Sequence, residues 1–237
     1  MYYLDIGNSS IKIKTPDKTS WRTVFTDKTS EAAAAAGFLK RDGNKIIGVS
    51  VVKTAMDILN QELAETGNLR WLQASDIPPK TLDYESPETL GMDRYMACLG
   101  ARSLADSPVI VIDAGTACTI DYMDDRGVYR GGVIMPGLSL WEKALNQYAP
   151  ALPSVERDIP MKWPGKSTED SVRWGLSGAF VEAVNGLMRK YDYLAKVYVT
   201  GGDGDWLAKR MERTAKVNDN LVFDGMRKLV ESQLWFG

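Results

Sequence analysis

The sequence predicts an α/β protein of two similar lobes, each a mixed sheet flanked by helices. Three observations carry that expectation. An apolar run, an Asp, a Gly, a small polar residue and a second β-prone run occur together twice, at Tyr3–Lys14 and at Val109–Tyr122. Each copy opens a meander of short strands that gives way to alternating helices and strands. The 237 residues are 44% hydrophobic, enough for two lobes with real cores and too apolar for a disordered chain.

The first lobe is expected over residues 1–106. Met1–Ile6, Ile11–Thr15 and Trp21–Phe25 read as strands with turns at Gly7-Asn8 and Pro16-Asp17. Ser30 is the expected cap of a helix running through Ala32–Ala36 to Lys40, stopped by Asp42-Gly43. Lys45–Val52 is a continuous apolar strand, and a helix from Thr54 to Glu65 ends at Gly67-Asn68. Leu69–Gln73 is a further strand, which makes the lobe βββαβαβ. Residues 74–90, with three prolines, form a long surface loop, and loops of that length usually have a function. A helix from Pro87 or Thr89 to Leu104 follows, and Asp106-Ser107-Pro108 marks the lobe boundary.

The second lobe, residues 107–237, starts over. Val109–Asp113, Ala117–Met123 and Val128–Ile134 are strands, and residues 146–167, with four prolines, are irregular. Thr168 is the expected cap of a long helix to Tyr191. Val197–Thr200 is a strand ending in Gly201-Gly202, and helices are expected at Trp206–Arg213 and Gly225–Leu234.

Composition excludes several chemistries. The chain has no histidine, which removes Ser-His-Asp and Cys-His nucleophile systems, histidine zinc sites and histidine proton shuttles. Acid–base work then falls to Asp, Glu, Lys, Tyr or Cys. Cys98 and Cys118 form no CxxC and read as buried thiols of a reduced compartment. A net charge of −2 offers no basic field for a nucleic-acid backbone. No run reaches the roughly 18 apolar residues of a membrane span, and no secretory pattern opens the chain. A cytoplasmic protein without nucleic-acid or membrane partners is expected.

The repeated turns point to phosphate. In Asp5-Ile6-Gly7-Asn8-Ser9 the glycine is expected to let the backbone bend and to let a phosphate approach the amides. Asn8, Ser9 and Ser10 offer polar side chains, and Lys12 on the returning strand brings a cation to the phosphates. Asp5, at a strand end, suits Mg²⁺, which prefers few carboxylates plus phosphate oxygens. Gly115 and Thr116 repeat the arrangement after Asp113. A duplicated strand–turn–strand of this kind is expected to grip one nucleotide from both sides. Rival signatures fail: Gly165-Lys166-Ser167-Thr168 resembles the end of a P-loop, but the earlier glycine it requires is Pro160. Gly201-Gly202-Asp203-Gly204 lacks GxGxxG spacing, and no G-x-S-x-G elbow occurs.

An acceptor side is expected at Leu90–Arg94. Asp93, near a helix N-terminus, can take a hydroxyl proton, and Arg94 can hold a carboxylate or phosphate through two parallel hydrogen bonds. A dipole-favoured helix-start Asp beside a solvated Arg is the plain structural alternative.

Asp5–Ser9 with Lys12, Gly91–Arg94, Asp113–Ala117, Gly131–Gly137 and Thr200–Gly202, in that order, resemble the type III pantothenate kinases of the actin/hexokinase/sugar-kinase superfamily. The resemblance covers nearly the whole chain. It implies two actin-like (ribonuclease-H-like) lobes and ATP-dependent phosphorylation of pantothenate to 4′-phosphopantothenate, the first step of coenzyme A biosynthesis. It also implies a divalent ion with the ATP, a monovalent cation (K⁺ or NH₄⁺) and a homodimer. On the matching positions it implies Asp93 as general base. Asp5, Ile6, Gly7, Asn8, Ser9, Ser10, Ile11, Lys12 and Thr116 would be ATP contacts. Tyr84, Gly91, Met92, Asp93, Arg94 and, from the opposite subunit, Thr168 would be pantothenate contacts, with Asp113 as the monovalent-cation ligand. The chain departs from the family pattern at Ser9, where Thr is usual, at Lys53, where Pro is common, and at Met92, where a small residue is usual.

Other readings are a superfamily kinase with a different acceptor, a nucleotide-binding regulator without turnover, and, least supported by the chain's length, an ATPase switch. Of the scattered tryptophans, Trp174 is expected either on a dimer seam or in its lobe's core. Arg126 and Arg130 are expected to be solvated, and Asp203 and Asp205 to lie near the nucleotide or in a plain surface loop.

Overall fold

The structure is a computed structural model and describes residues 1–15, 20–24, 27–40 and 43–233, with 20–24 and 233 as backbone only. The Pro16-Asp17 turn, Phe25 at the end of the third strand, Asp42 in the first helix stop, Leu234 and Trp235 lie outside the described residues. The chain divides into two compact units: Met1–Asp106 with Arg126–Arg130 and Asn220–Gly237, and Ser107–Asp125 with Gly131–Asp219.

In the first unit β1 (Tyr2–Ile6), β2 (Ser10–Lys14) and β3 (Ser20–Val24) form the expected meander. Helix α1 (Lys28–Leu39), β4 (Ile46–Ser50), α2 (Lys53–Glu62) and β5 (Leu69–Trp71) follow. The strands lie in the order β3-β2-β1-β4-β5, with β1 antiparallel to β2 and parallel to β4. Leu4, Ile6, Ile11, Ile13 and Ile46 are fully buried against the alanine face of α1, Ala32, Ala35 and Ala36. Those small side chains let the helix lie close to the sheet.

The cap of α1 is Asp27, not Ser30. Asp27 accepts hydrogen bonds from the amides of Thr29 (3.1 Å) and Ser30 (3.2 Å) and from the Ser30 hydroxyl. The bond from the Ser30 hydroxyl is the first cause holding its carboxyl below the usual range. Lys53 is the first residue of α2. That is the helical position most tolerant of proline, so lysine there keeps the helix start.

The long loop carries two short 3₁₀ turns, Ala74–Asp76 and Pro87–Thr89, before α3 (Met92–Ser103). It is tied down rather than free. The Asp83 amide donates to Tyr129 O, the Tyr129 amide donates to Thr81 O, and Arg130 pairs with Asp83 at 2.6 Å. Arg130 is exposed, as expected, and from the surface it also anchors the loop through Asp83.

The second unit repeats the plan. It runs β6 (Val109–Ala114), β7 (Ala117–Met123), β8 (Tyr129–Pro136), α4 (Leu138–Tyr148), α5 (Thr168–Arg173), a π-helical turn (Trp174–Gly178), α6 (Ala179–Met188), β9 (Lys196–Thr200), α7 (Gly204–Ala208) and β10 (Ala215–Val217). Its strand order read from the other edge, β8-β7-β6-β9-β10, is the first unit's order with each strand replaced by its counterpart. β6 is antiparallel to β7 and parallel to β9, as β1 is to β2 and β4. The duplication is thus exact in topology. Ile110, Ile112, Ile120, Phe180, Val184 and Val199 form the core. Helix α4 and strand β10 carry no counterpart in the sequence reading. Ser167 rather than Thr168 caps α5, accepting from the Asp170 amide at 3.1 Å.

The last helix, α8 (Leu221–Gln233), packs on α3 and so belongs to the first unit, not to the second lobe in which the sequence reading placed it. Glycines make the contact possible. A Cβ on Gly225 would stand 1.9 Å from Met96 O, and one on Gly100 would stand 2.0 Å from Leu221 O. Among the described residues no helix is long and apolar enough to cross a membrane.

Candidate active site

Asp5 is the penultimate residue of β1, with its carboxylate buried at 7% exposure. Strand register sets Lys12 directly opposite on β2, and the two side chains pair at 3.7 Å. Burial is the largest influence on Asp5 and pushes its pKa up to about 6; Lys12 opposes the rise and the Asp93 carboxylate adds to it. Asp93, on α3, is thus within electrostatic reach of the first turn. The sequence separates the two groups by a whole sheet and two helices, and the fold brings them together within one unit.

The turn itself is Gly7–Ser10, closed by the Gly7 amide donating to Ser10 O at 3.0 Å. Asn8 and Ser9 are exposed, Ser10 is buried, and Ile6 and Ile11 point into the core. What Ile6 and Ile11 offer a ligand is backbone alone. The expected conformational need for Gly7 is not there. Its φ is not positive, and a Cβ would meet nothing nearer than Ser10 O at 3.9 Å. Gly115 is similar, with its nearest contact, Asp113 Oδ1, at 3.4 Å. Neither glycine is forced by the backbone conformation or the packing around it.

The acceptor segment is built differently from expectation. Gly91 is not inside the helix but caps it, and α3 begins at Met92, which is buried. The Arg94 amide donates to Gly91 O at 3.1 Å and to Asp93 Oδ1 at 2.9 Å. A Cβ on Gly91 would stand 2.6 Å from Asp93 Oδ1. Glycine at this cap is what leaves the Asp93 carboxylate its position. Arg94 is only 9% exposed, far from the solvated side chain of the plain alternative. Tyr84 stacks at a tilt on Tyr129 (6.1 Å), which in turn meets Tyr95 (5.9 Å), whose hydroxyl bonds Thr81 at 3.1 Å. The long loop therefore presents Tyr84 on a fixed aromatic base.

In the second unit Asp113 pairs in register with Thr200, and Gly201 follows in the left-handed region at φ +92°. A Cβ on Gly201 would lie 2.4 Å from Asp113 Oδ1 and 2.6 Å from Ala114 O. Here glycine is obligatory, because only it lets the loop cross the Asp113 carboxylate. The second turn is one residue tighter than the first, since Ala114 pairs with Cys118 where Ile6 pairs with Ile11. Thr119 stands opposite Asp113 where Lys12 stands opposite Asp5, so the cation is not duplicated. Cys98 and Cys118 are buried thiols, as expected, and burial with nearby Asp113, Asp121 and Asp203 pushes the Cys118 thiol up to about 12.

Two groups around this turn escaped the sequence. The Arg157 guanidinium bonds both Glu142 oxygens (2.6 and 2.7 Å), Ser139 Oγ (2.9 Å) and Asp203. Its pKa is raised, first by the bonds to Glu142. The Asp203 carboxylate is engaged here and does not belong to a plain surface loop. Arg157 sits in the proline-rich stretch and Glu142 lies in the unassigned helix α4, so no local pattern joins them.

Thr168 is exposed at the start of α5, in the second unit with Asp113 and Thr116. On the same helical run, Trp174 turns away from the core to meet Trp163 edge-on at 5.0 Å and donates to Lys162 O. These tryptophans line a largely apolar cavity of about 590 Å³ with Pro164, Ser171 and Ala179, which contains none of the expected site residues.

No cluster of three or more His, Cys, Asp and Glu that would hold a metal occurs among the described residues. Asp5 and Asp113 are single carboxylates at strand ends. That donor set fits ions held mainly by a ligand's own oxygens, such as Mg²⁺ on a nucleotide.

A family model described as Type III pantothenate kinase matches residues 1–190. A type III pantothenate kinase of Bacteroides fragilis is 32% identical over 237 residues, covering 96% of each chain. A solved structure from Campylobacter jejuni, described as a conserved Baf family transcriptional activator, is 25% identical with a TM-score of 0.70, covering 99% of each chain. The structure of a 2-dehydro-3-deoxygalactonokinase from Sinorhizobium meliloti shares the fold at 13% identity and a TM-score of 0.60, covering 100% of this chain and 99% of that one.

Proposed function

The chain belongs to the type III pantothenate kinase family, and on that premise we propose that it transfers the γ-phosphoryl group of ATP to the primary hydroxyl of pantothenate. The product is 4′-phosphopantothenate, and the reaction opens coenzyme A biosynthesis. The observation that carries the residue assignment is the approach of Asp93 to the Asp5 turn within one unit, with a buried Arg94 beside it.

In this reading the amides of the glycine turn and the side chains of Asn8, Ser9 and Ser10 hold phosphate oxygens, and Lys12 offsets their charge. In the second unit Thr116 is assigned to the ATP phosphates. Asp5 would hold a divalent ion that neutralises phosphate charge, and Asp113 a monovalent cation, K⁺ or NH₄⁺. Tyr84, Gly91, Met92 and Arg94 orient the acceptor. Asp93 receives the hydroxyl proton as the oxygen bonds to phosphorus and the bond to ADP breaks. In a loose transition state the proton leaves late, so positioning matters more than basicity.

We also propose a homodimer. The Trp163–Trp174 cavity supports it as an apolar face on the helix that begins with Thr168, the residue assigned to the partner's acceptor pocket. The proposed setting is the cytoplasm, where ATP is at hand and both buried thiols stay reduced.

Incubation of the purified protein with ATP, Mg²⁺ and pantothenate, with and without potassium, should yield phosphopantothenate by mass spectrometry and more of it with potassium. Asp113→Ala should flatten the potassium dependence. Absence of product in every condition would defeat the assignment. It would favour the second reading, a nucleotide-binding regulator, which the description of the C. jejuni neighbour keeps in view.

A further inference from the structure

The second phosphate turn is gripped through its two outer carbonyls. The Asp203 amide donates to Ala114 O at 2.9 Å, and the Gly137 amide donates to Thr116 O at 2.9 Å. These two grips come from separate segments. Asp203 belongs to the loop after β9, where Gly201 crosses Asp113. Gly137 caps α4 and lies so close to the turn that a Cβ would stand 2.0 Å from Gly115 O. Backbone bonding alone leaves each grip to move with its own element.

One side chain joins them. The Arg157 fork takes both oxygens of Glu142 on α4, the hydroxyl of Ser139 in the first turn of α4, and the carboxylate of Asp203. Arg157 is itself fixed from behind, because Trp206 Nε1 of α7 donates to its carbonyl at 3.0 Å, and Arg210 covers the Trp206 ring at 4.5 Å. The guanidinium is planar and rigid, so its three partners are set at defined angles as well as distances.

We infer that Arg157 is a positioning residue for nucleotide binding: it couples the Asp203 loop to helix α4 and so holds the Ala114–Thr116 turn at the spacing a phosphate requires. It touches no reacting atom. The inference rests on the assignment of Thr116 and its turn to ATP. It adds a residue from the proline-rich segment, outside the repeated motifs, to the machinery of that turn.

The test compares the full-length protein with Arg157→Lys, which keeps the charge but not the fork, and with Glu142→Gln, which weakens the same joint from the helix side. Three readouts are taken: affinity for a non-hydrolysable ATP analogue by calorimetry, KM for pantothenate, and hydrogen exchange of the Gly137 and Asp203 amides. The expected result for Arg157→Lys is about tenfold weaker analogue binding and about tenfold faster exchange at both amides, with pantothenate KM changed by less than about twofold. Glu142→Gln should move the first two readouts in the same direction by less. Analogue affinity within about twofold of wild type for both variants would overturn the inference, as would full recovery of affinity by lysine or an equal rise in both substrate constants. A wild-type protein that binds the analogue but never phosphorylates pantothenate would sink the kinase assignment and leave the Arg157 result to be read from the first and third measurements.

Discussion

Asp5 and Lys12 occupy paired positions on antiparallel β1 and β2, and Lys12 Nζ comes within 3.7 Å of a carboxylate that is itself buried. The pair is unequal: Lys12 keeps 32% of its side chain in solvent, whereas Asp5 is almost fully withdrawn. Burial outweighs the lysine and raises Asp5 to about 6 from 3.8. A carboxyl raised in the folded state binds protons there that the unfolded chain has released, so its contribution to stability falls as pH rises from about 4 through about 6.

Asp5→Asn removes that dependence. Thermal unfolding should show the variant gaining on wild type as pH goes from 5 to about 7.5, then a constant difference. Turnover should move oppositely. Wild-type kcat/KM for Mg-ATP should rise through pH 6 as Asp5 ionises, and the variant should lose about a hundredfold or more at pH 7.5. Parallel unfolding curves at every pH would show that Asp5 does not carry the raised pKa.

Asp93→Asn keeps an oxygen able to accept from the Arg94 amide, so the helix start survives. Binding of ATP and of pantothenate should stay within about threefold of wild type while kcat falls about 10²–10⁴-fold, the usual span for a lost general base. Rapid-quench measurement of product separates the chemical step from release, and wild-type turnover would remove Asp93 from the base role.

Gly91→Ala probes the same carboxylate without touching its charge. The new methyl would collide with Asp93 Oδ1, the end of a side chain that can rotate away. Folding should lose less than about 1 kcal/mol, while kcat drops about tenfold or more because the base is misplaced. An unaltered kcat, with the carboxylate seen rotated in a crystal structure, would show that this rotamer is not needed.

Gly225→Ala tests the α3–α8 contact. Alanine ordinarily stabilises a helix interior by about 1 kcal/mol over glycine, but here its Cβ would press on a backbone oxygen. Overpacking should win, with a net loss of at least about 2 kcal/mol by denaturant unfolding. Gly37→Ala in α1 is the control. Its Cβ would meet nothing within 4 Å, so a gain of about 0.5–1 kcal/mol is expected.

The strands were legible because their signal is local. Val109–Ile112 and Lys45–Val52 are dense in β-branched residues, and turn glycines punctuate them. The repeat was legible for the same reason, and the two identical strand orders bear out the expectation of two mixed sheets. Caps were less so. Asp27 and Ser30, or Ser167 and Thr168, are all capable N-caps within a few residues, and only the backbone decides among them. Helix α4 begins after Gly137 without a side-chain cap, and β10 has three residues, so neither leaves a clear local mark. Long-range partners left no mark at all. The three partners of Arg157, the reason for Gly201 and the seat of α8 are set by segments far apart in the chain.

That seat of α8 has a bearing on how the protein is made. A ribosome releases α3 well before it releases residues 221–233, so the groove around Gly100 stays open until the final helix emerges and closes it. Residues 107–125 and 131–219 suffer no such delay and can consolidate as a nascent insert, whereas the earlier-born half must wait for a late-arriving clasp. Truncation within that helix should therefore injure the segment synthesised first and spare the one synthesised in between.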